Sequence, residues 1–285
     1  MNKRIFQITL AVGFLFIGLN NIFGQTLLKQ LSRGNVEFNL YDNGFKIKDL
    51  STGNYIIETS AQQNELPIGF ASYPNTTVDY VSYMYSVVKD STAAYQWWTN
   101  TLLTWSSNDP LYIIDASFKN TSNNEVMNVH VELLANERVK VEIQKAIPVS
   151  QPWKYRTRLR LKLFPDEYFL GFGTRPENVA FRNKKMLNWI SEMRIANEPS
   201  PKPENQGEAR VPFYISTRGY GLLLNENTCS SFDLGEADPN INEIVTWEQH
   251  LNFTVYLGAT PLDIIDRKST RLNSSHEWIS RMPSS

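Results

Sequence analysis

Turn signals recur about every ten residues along this chain, and short runs of strand-forming residues lie between them. Residues 35–41 alternate, with Val36, Phe38 and Leu40 on one face, and Asp42-Asn43-Gly44 supplies the positive-φ residues of a hairpin turn. Residues 45–50 return, Ser51-Thr52-Gly53-Asn54 turns again, and 55–57 form a third strand. Residues 80–88, 111–118, 126–134, 139–143 and 155–164 read as further strands, while the aromatic run 95–98 is either a strand or an exposed patch. No helical period lasts beyond a couple of turns. A chain with this rhythm is expected to be all-β, an antiparallel β-sandwich with a sheet face toward water.

The composition fits a packed core: 41% of the 285 residues are hydrophobic and 20% charged. Aromatic residues reach 12%, which suits strands and also surfaces that stack on sugar rings, Trp97 and Trp98 among them. Arg158, Arg160 and Lys162 alternate with Leu159, Leu161 and Leu163, and the basic row reads as a solvated sheet face. Residues 193–210, with Pro199, Pro201, Pro203, Asn205 and Gly207, read as a long polar loop, a length that compact domains keep mostly for function or disorder.

The two ends differ from the body. Lys3 and Arg4, an apolar run over 5–19 and a small-residue exit make residues 1–24 an expected export signal peptide. The apolar run is shorter than a membrane span needs, so no span is expected after cleavage. Cys229 is the sole cysteine and excludes an internal disulfide, which for an exported chain fits the bacterial periplasm or the extracellular medium. Cys229 itself is expected to be a buried small hydrophobe beside Phe232. Residues 267–285 match no periodic element and are expected to be a non-native or disordered tail, leaving 25–266 as the sandwich domain. With the cationic ends set aside the body is acidic, which gives no footprint for nucleic acid.

An ordered series of short motifs runs from Gly171 to Pro261. It holds a Gly171-Phe172-Gly173 turn, Trp189 followed by Ser191 and Glu192, and a Pro212-Phe213-Tyr214 strand start. A Gly219-Tyr220-Gly221 turn leading through 222–224 to Asn225, then Phe232-Asp233-Leu234-Gly235, come next. Val255-Tyr256-Leu257-Gly258-Ala259-Thr260-Pro261 closes the series. In this order the motifs resemble the N-terminal, galactose mutarotase-like β-sandwich of glycoside hydrolase family 31, the α-glucosidase and α-xylosidase family. Thr174 stands where that family usually has Glu after the second Gly. The resemblance implies a sandwich that supports a catalytic (β/α)8 barrel, and the barrel is missing from this chain.

What the resemblance implies for chemistry follows from that. Retaining glycosidases need two carboxylic acids about 5 to 5.5 Å apart, and in this family both are barrel aspartates, so no catalytic residue is assigned here. The sandwich is expected to send the loop 191–210 to the active-site mouth, with Trp189, Glu192 and Arg194 near substrate. Trp189 would stack on a sugar ring, and Glu192 or Arg194 would bind hydroxyls or an anionic substituent. Arg175 and Glu177 read as a surface turn pair. The expected partners are an α-linked carbohydrate and the chain's own barrel, with no cofactor. Aldose mutarotases use a His pair and a Glu on a related sandwich, but His130 and His250 lie far apart in sequence without that family's motifs. One Cys and scattered His give no zinc spacing, and no Gly-x-Gly-x-x-Gly precedes a helix. The alternative function is a stand-alone carbohydrate-binding β-sandwich module.

Overall fold

The computed structural model describes residues 25–60, 67–72, 77–82, 85–89, 100–120, 126–147, 150, 155–173, 180–188, 211–226 and 228–276. Strands β1 (Leu27–Arg33), β2 (Val36–Tyr41), β3 (Gly44–Asp49) and β4 (Asn54–Glu58) form an antiparallel meander in that order. Its hairpins fall where Asp42-Asn43-Gly44 and Ser51–Asn54 place them, with Tyr41 opposite Gly44. The strand pair β6 (Thr77–Ser82) and β7 (Tyr85–Lys89) stands as a separate hairpin.

Two larger sheets make the body. The five-stranded sheet runs β14 (Lys185–Asn188), β17 (Ser230–Leu234), β18 (Ile241–Thr246), β12 (Tyr155–Lys162) and β5 (Ile68–Ser72). The eight-stranded sheet runs β13 (Phe169–Gly171), β15 (Phe213–Ser216), β16 (Tyr220–Leu224), β19 (His250–Leu257), β11 (Arg138–Lys145), β10 (Val126–Leu134), β9 (Ile113–Asn120) and β8 (Asn100–Asn108). Every neighbouring pair is antiparallel.

Alternation assigns the faces. Along β10, Met127, Val129, Val131 and Leu133 are buried while Asn128, His130 and Glu132 face outward. The inward residues of β10, β11, β16 and β19 meet Phe70, Leu159, Phe232 and Ile244 from the five-stranded sheet in one continuous core. At roughly 1.5–3 kcal/mol for each fully buried large apolar side chain, this core is the dominant favourable contribution to folding. The meander joins the same layer as the five-stranded sheet through the Thr59–Leu161 bridge and the bond from Ser60 N to Arg160 O at 3.0 Å. Arg33 Nη1 donates to Leu133 O at 2.8 Å and ties β1 across to β10.

The Gly171-Phe172-Gly173 turn has a steric reason. Gly171 has φ of 127°, and a Cβ there would lie 2.6 Å from the Phe213 carbonyl oxygen. Phe172, itself at φ of 63°, is thereby turned into the core, with ring centroids 5.8, 5.5 and 5.1 Å from Phe181, Tyr214 and Phe232.

Four expectations are corrected. A helix does exist beyond a couple of turns: α1 (Pro261–His276) has 16 residues and continues through Arg267 and Lys268. Its start is a capping box, in which Asp263 Oδ2 accepts from Thr260 N at 2.9 Å and Thr260 Oγ1 accepts from Asp263 N at 3.2 Å. Pro261 then occupies the first helical turn, where a missing N–H costs nothing. The strand expected from residue 111 starts at Ile113, after a 3₁₀ turn over Asp109–Leu111 that Tyr112 closes in the left-handed region. The basic row of β12 is only in part a solvated face: Lys162 is exposed, but Arg158 is fully buried and Arg160 half-buried, both paired with Glu243 at 3.7 and 2.7 Å. The sheet is covered over Arg158, which alternation alone does not reveal. Cys229 is half-buried rather than buried.

Candidate functional site

The strand registers gather one set of chain ends at a single end of the sandwich. Asn188, the last residue of β14, pairs with Ser230 at the start of β17, which pairs with Thr246 at the end of β18. Thr246 pairs in turn with Thr157 near the start of β12, and Tyr155, which opens β12, pairs with Ser72 at the end of β5. The β18–β19 turn, Trp247-Glu248-Gln249, crosses here from the five-stranded to the eight-stranded sheet. On the second sheet His250 opens β19, Leu224 closes β16 and Phe213 opens β15. Segment 189–210 therefore has both its anchors, Asn188 and Val211, at this end. With strands about 4.8 Å apart, Asn188 stands roughly 10 Å from Thr246.

Ionisable and aromatic side chains converge on that turn. His250 Nε2 lies 2.8 Å from Glu226 Oε2, while Glu226 Oε1 accepts from Asn252 N at 2.9 Å. The Glu226 bond holds the His250 imidazole above the usual histidine value. Glu248 is half-buried, and burial raises its carboxyl although His250 and Arg156 pull the other way. The buried Arg156 guanidinium lies 4.9 Å over the Trp247 ring. Nearby, Phe70 and Tyr155 stack at 5.1 Å, and Lys145 Nζ sits 5.5 and 5.1 Å from their centroids. Phe70 and Arg156 are buried, while Trp247, Glu248 and His250 are half-buried and bring an indole, a carboxylate and an imidazole to the surface of the turn. The cluster forms no metal centre: among the described residues no group of three or more His, Cys, Asp or Glu is arranged to hold an ion.

Trp189, Glu192 and Arg194 lie outside the described residues, as do Arg175, Glu177, Trp97 and Trp98. The two body histidines are separate: His130 pairs with Asp115 at 2.7 Å on the outward face of β10, with β11 between it and β19. Glu226, Trp247, Glu248 and Arg156 were not singled out from sequence. Their only local signal is an aromatic, polar turn between two strands.

On the outward face of the eight-stranded sheet, α1 covers Phe213, Ile215 and Tyr256 through Ile264. A Cβ at Gly221 would lie 2.6 Å from Ile264 Cγ2, so the close approach needs glycine. Arg267 bonds Leu257 O and pairs with Glu137 at 3.1 Å. The sequence model of the glycosyl hydrolase 31 N-terminal galactose mutarotase-like domain matches residues 28–233, most of the chain. The chain belongs to this domain family.

Relatives place the domain within larger proteins. An alpha-xylosidase, XylQ of Lactiplantibacillus pentosus, is 26% identical over 125 residues, which is 42% of this chain and 16% of that protein. A GH31 family sulfoquinovosidase from E. rectale, solved with an aza-sugar inhibitor, matches with a TM-score of 0.55 at 13% identity. That match covers 86% of this chain and 34% of the sulfoquinovosidase, and it shows a shared fold. This chain thus matches about a sixth of the length of one relative and a third of the other.

Proposed function

We propose that this chain is the non-catalytic N-terminal part of an exported α-glycosidase. It supports a catalytic barrel and lends segment 189–210 to the mouth of the active site. The observation that carries the reading is the family match over 28–233 in a chain that spans so small a share of its sugar-processing relatives. The placement of Asn188 and Val211 at the end holding the Trp247–His250 turn supports the substrate-facing role of that end. Trp189, Glu192 and Arg194 are the substrate contacts in this reading, Trp189 by stacking and the charged pair by hydrogen bonds. The reactive carboxylic acids belong to the barrel, and in the whole enzyme they perform retaining hydrolysis of an α-linked sugar. The basic and apolar character of residues 1–24 supports export.

Reading the genomic frame beyond residue 266 tests this. A continuing frame that encodes a barrel, and whose product loses affinity for an α-glycoside on Trp189→Ala, is the expected result. A natural stop near Asp266, together with saturable sugar binding by the chain alone, would replace it with a stand-alone binding module. Finding the protein inside cells with residues 1–24 still attached would remove the export claim.

A further inference from the structure

We propose that the β18–β19 turn is itself a sugar-contact site, in which Glu248 and His250, beside the Trp247 indole, hydrogen-bond the hydroxyls of a neutral α-linked sugar. This rests on the reading that the same end of the sandwich faces substrate.

The division of labour among the side chains points to contact rather than mere bracing. Glu226 has 7% of its side chain exposed and commits one carboxylate oxygen to His250 Nε2 and the other to Asn252 N. It is a positioning group. That bond fixes the His250 ring, whose side chain is 31% exposed, and leaves Nδ1 as the ring nitrogen for a ligand. Among the described residues no hydrogen bond reaches Nδ1, and Glu248, half-buried, lies two residues away in the turn with its charge acting on the imidazole. Arg156, buried and 4.9 Å over the indole, holds Trp247 in place.

The charges specify the ligand class. Two carboxylates, Glu226 and Glu248, meet the Arg156 guanidinium, the Lys145 ammonium beside the turn and an imidazole that Glu226 holds toward its charged form. The formal charges cancel when His250 is neutral and leave one positive charge when it is protonated. A neutral polyol meets both signs without adding a charge to a half-buried site, whereas a sugar carboxylate would face Glu248 and Glu226. Carboxylate and imidazole side by side suit two adjacent hydroxyls, one donating to Glu248 and one meeting His250. The turn also links both sheets, so the contact is mounted on the rigid part of the domain and not on a loop alone.

The test is a titration of the full chain with methyl α-D-glucopyranoside and methyl α-D-xylopyranoside, followed by imidazole NMR and tryptophan fluorescence. The expected result is a saturable shift of the His250 resonances with those of His130, on β10, unmoved. Glu248→Gln, which lies outside the Glu226 clamp and keeps the shape of the turn, is expected to weaken binding about tenfold with an unchanged unfolding midpoint. D-glucuronate is expected to bind more weakly than the neutral glycosides. Saturable fluorescence changes with a silent His250 and an unaffected Glu248→Gln would overturn the turn contact while leaving the substrate-facing reading standing. A folded chain in which neither probe responds would overturn the contact and remove sugar binding by this domain on its own.

Discussion

Tyr220 donates its phenolic hydroxyl to Glu167 Oε1 at 2.9 Å in the interior of the sandwich. Ser216 Oγ donates to the same oxygen at 2.5 Å, and the Phe164 amide reaches Oε2 at 3.3 Å. Asn242 Nδ2 donates to the Tyr214 hydroxyl at 3.0 Å, and the Tyr214 and Tyr220 rings meet edge to face at 6.0 Å. Burial nevertheless dominates and holds the Glu167 carboxyl above its ordinary value.

That direction fixes a pH dependence. Glu167 binds its proton more tightly in the folded chain than in the unfolded one. Its contribution is fully present below the unfolded glutamate value of about 4.3 and is lost as pH rises through the raised folded value. Glu167→Gln keeps an acceptor for Tyr220 and Ser216 and removes the titration. Urea unfolding across the acid range is expected to show a flatter stability curve for this variant than for the parent. Glu167→Ala leaves two buried hydroxyls without their acceptor, and a loss of about 2–4 kcal/mol is expected.

His250 adds a second, higher window. Glu226 raises its folded value, so the stability it contributes is fully present below about pH 6.5 and is lost as pH rises through the folded value. Glu226→Gln is expected to bring the imidazole back toward about 6.5 in an NMR titration. The same variant is expected to lose the decline in stability that the parent shows on the alkaline side.

The seat of α1 depends on Ile264 filling the space above Gly221. Ile264→Ala is expected to cost about 2–4 kcal/mol in urea unfolding. Thr260→Ala removes the cap and is expected to cost about 1 kcal/mol, with a small loss of helical circular dichroism.

Gly171→Ala places a Cβ 2.6 Å from the Phe213 carbonyl at a φ of 127°. Both the contact and the backbone conformation oppose it, so a loss above about 2 kcal/mol is expected. Calorimetry that finds the variant as stable as the parent would contradict the steric account of this turn.

Much of the fold was legible because its signals are local. Val36, Phe38 and Leu40 alternate and Asn43-Gly44 turns, so β2 and β3 follow from the sequence directly. Strand β8 was not read as such because a register shift between Leu102 and Thr104 breaks the alternation there. Arg158 was read as solvated because charge alone does not reveal which sheet face another part of the chain covers. The start of α1 had a readable cap in Thr260-Pro261-Leu262-Asp263, but the phrase was absorbed into the exit strand. The candidate site was the least legible. Glu226 and His250 are 24 residues apart and meet only because β16, β18 and β19 take particular registers. No spacing in the sequence encodes that.

In the proposed reading this mutarotase-like domain binds or supports, and cleavage belongs to the barrel. Release of p-nitrophenolate from p-nitrophenyl α-D-glucopyranoside and α-D-xylopyranoside by the purified chain measures it directly. No release above the enzyme-free rate is predicted, at any pH at which the chain stays folded. Turnover that co-purifies with the chain and disappears on substituting one of its own carboxylates would contradict the account.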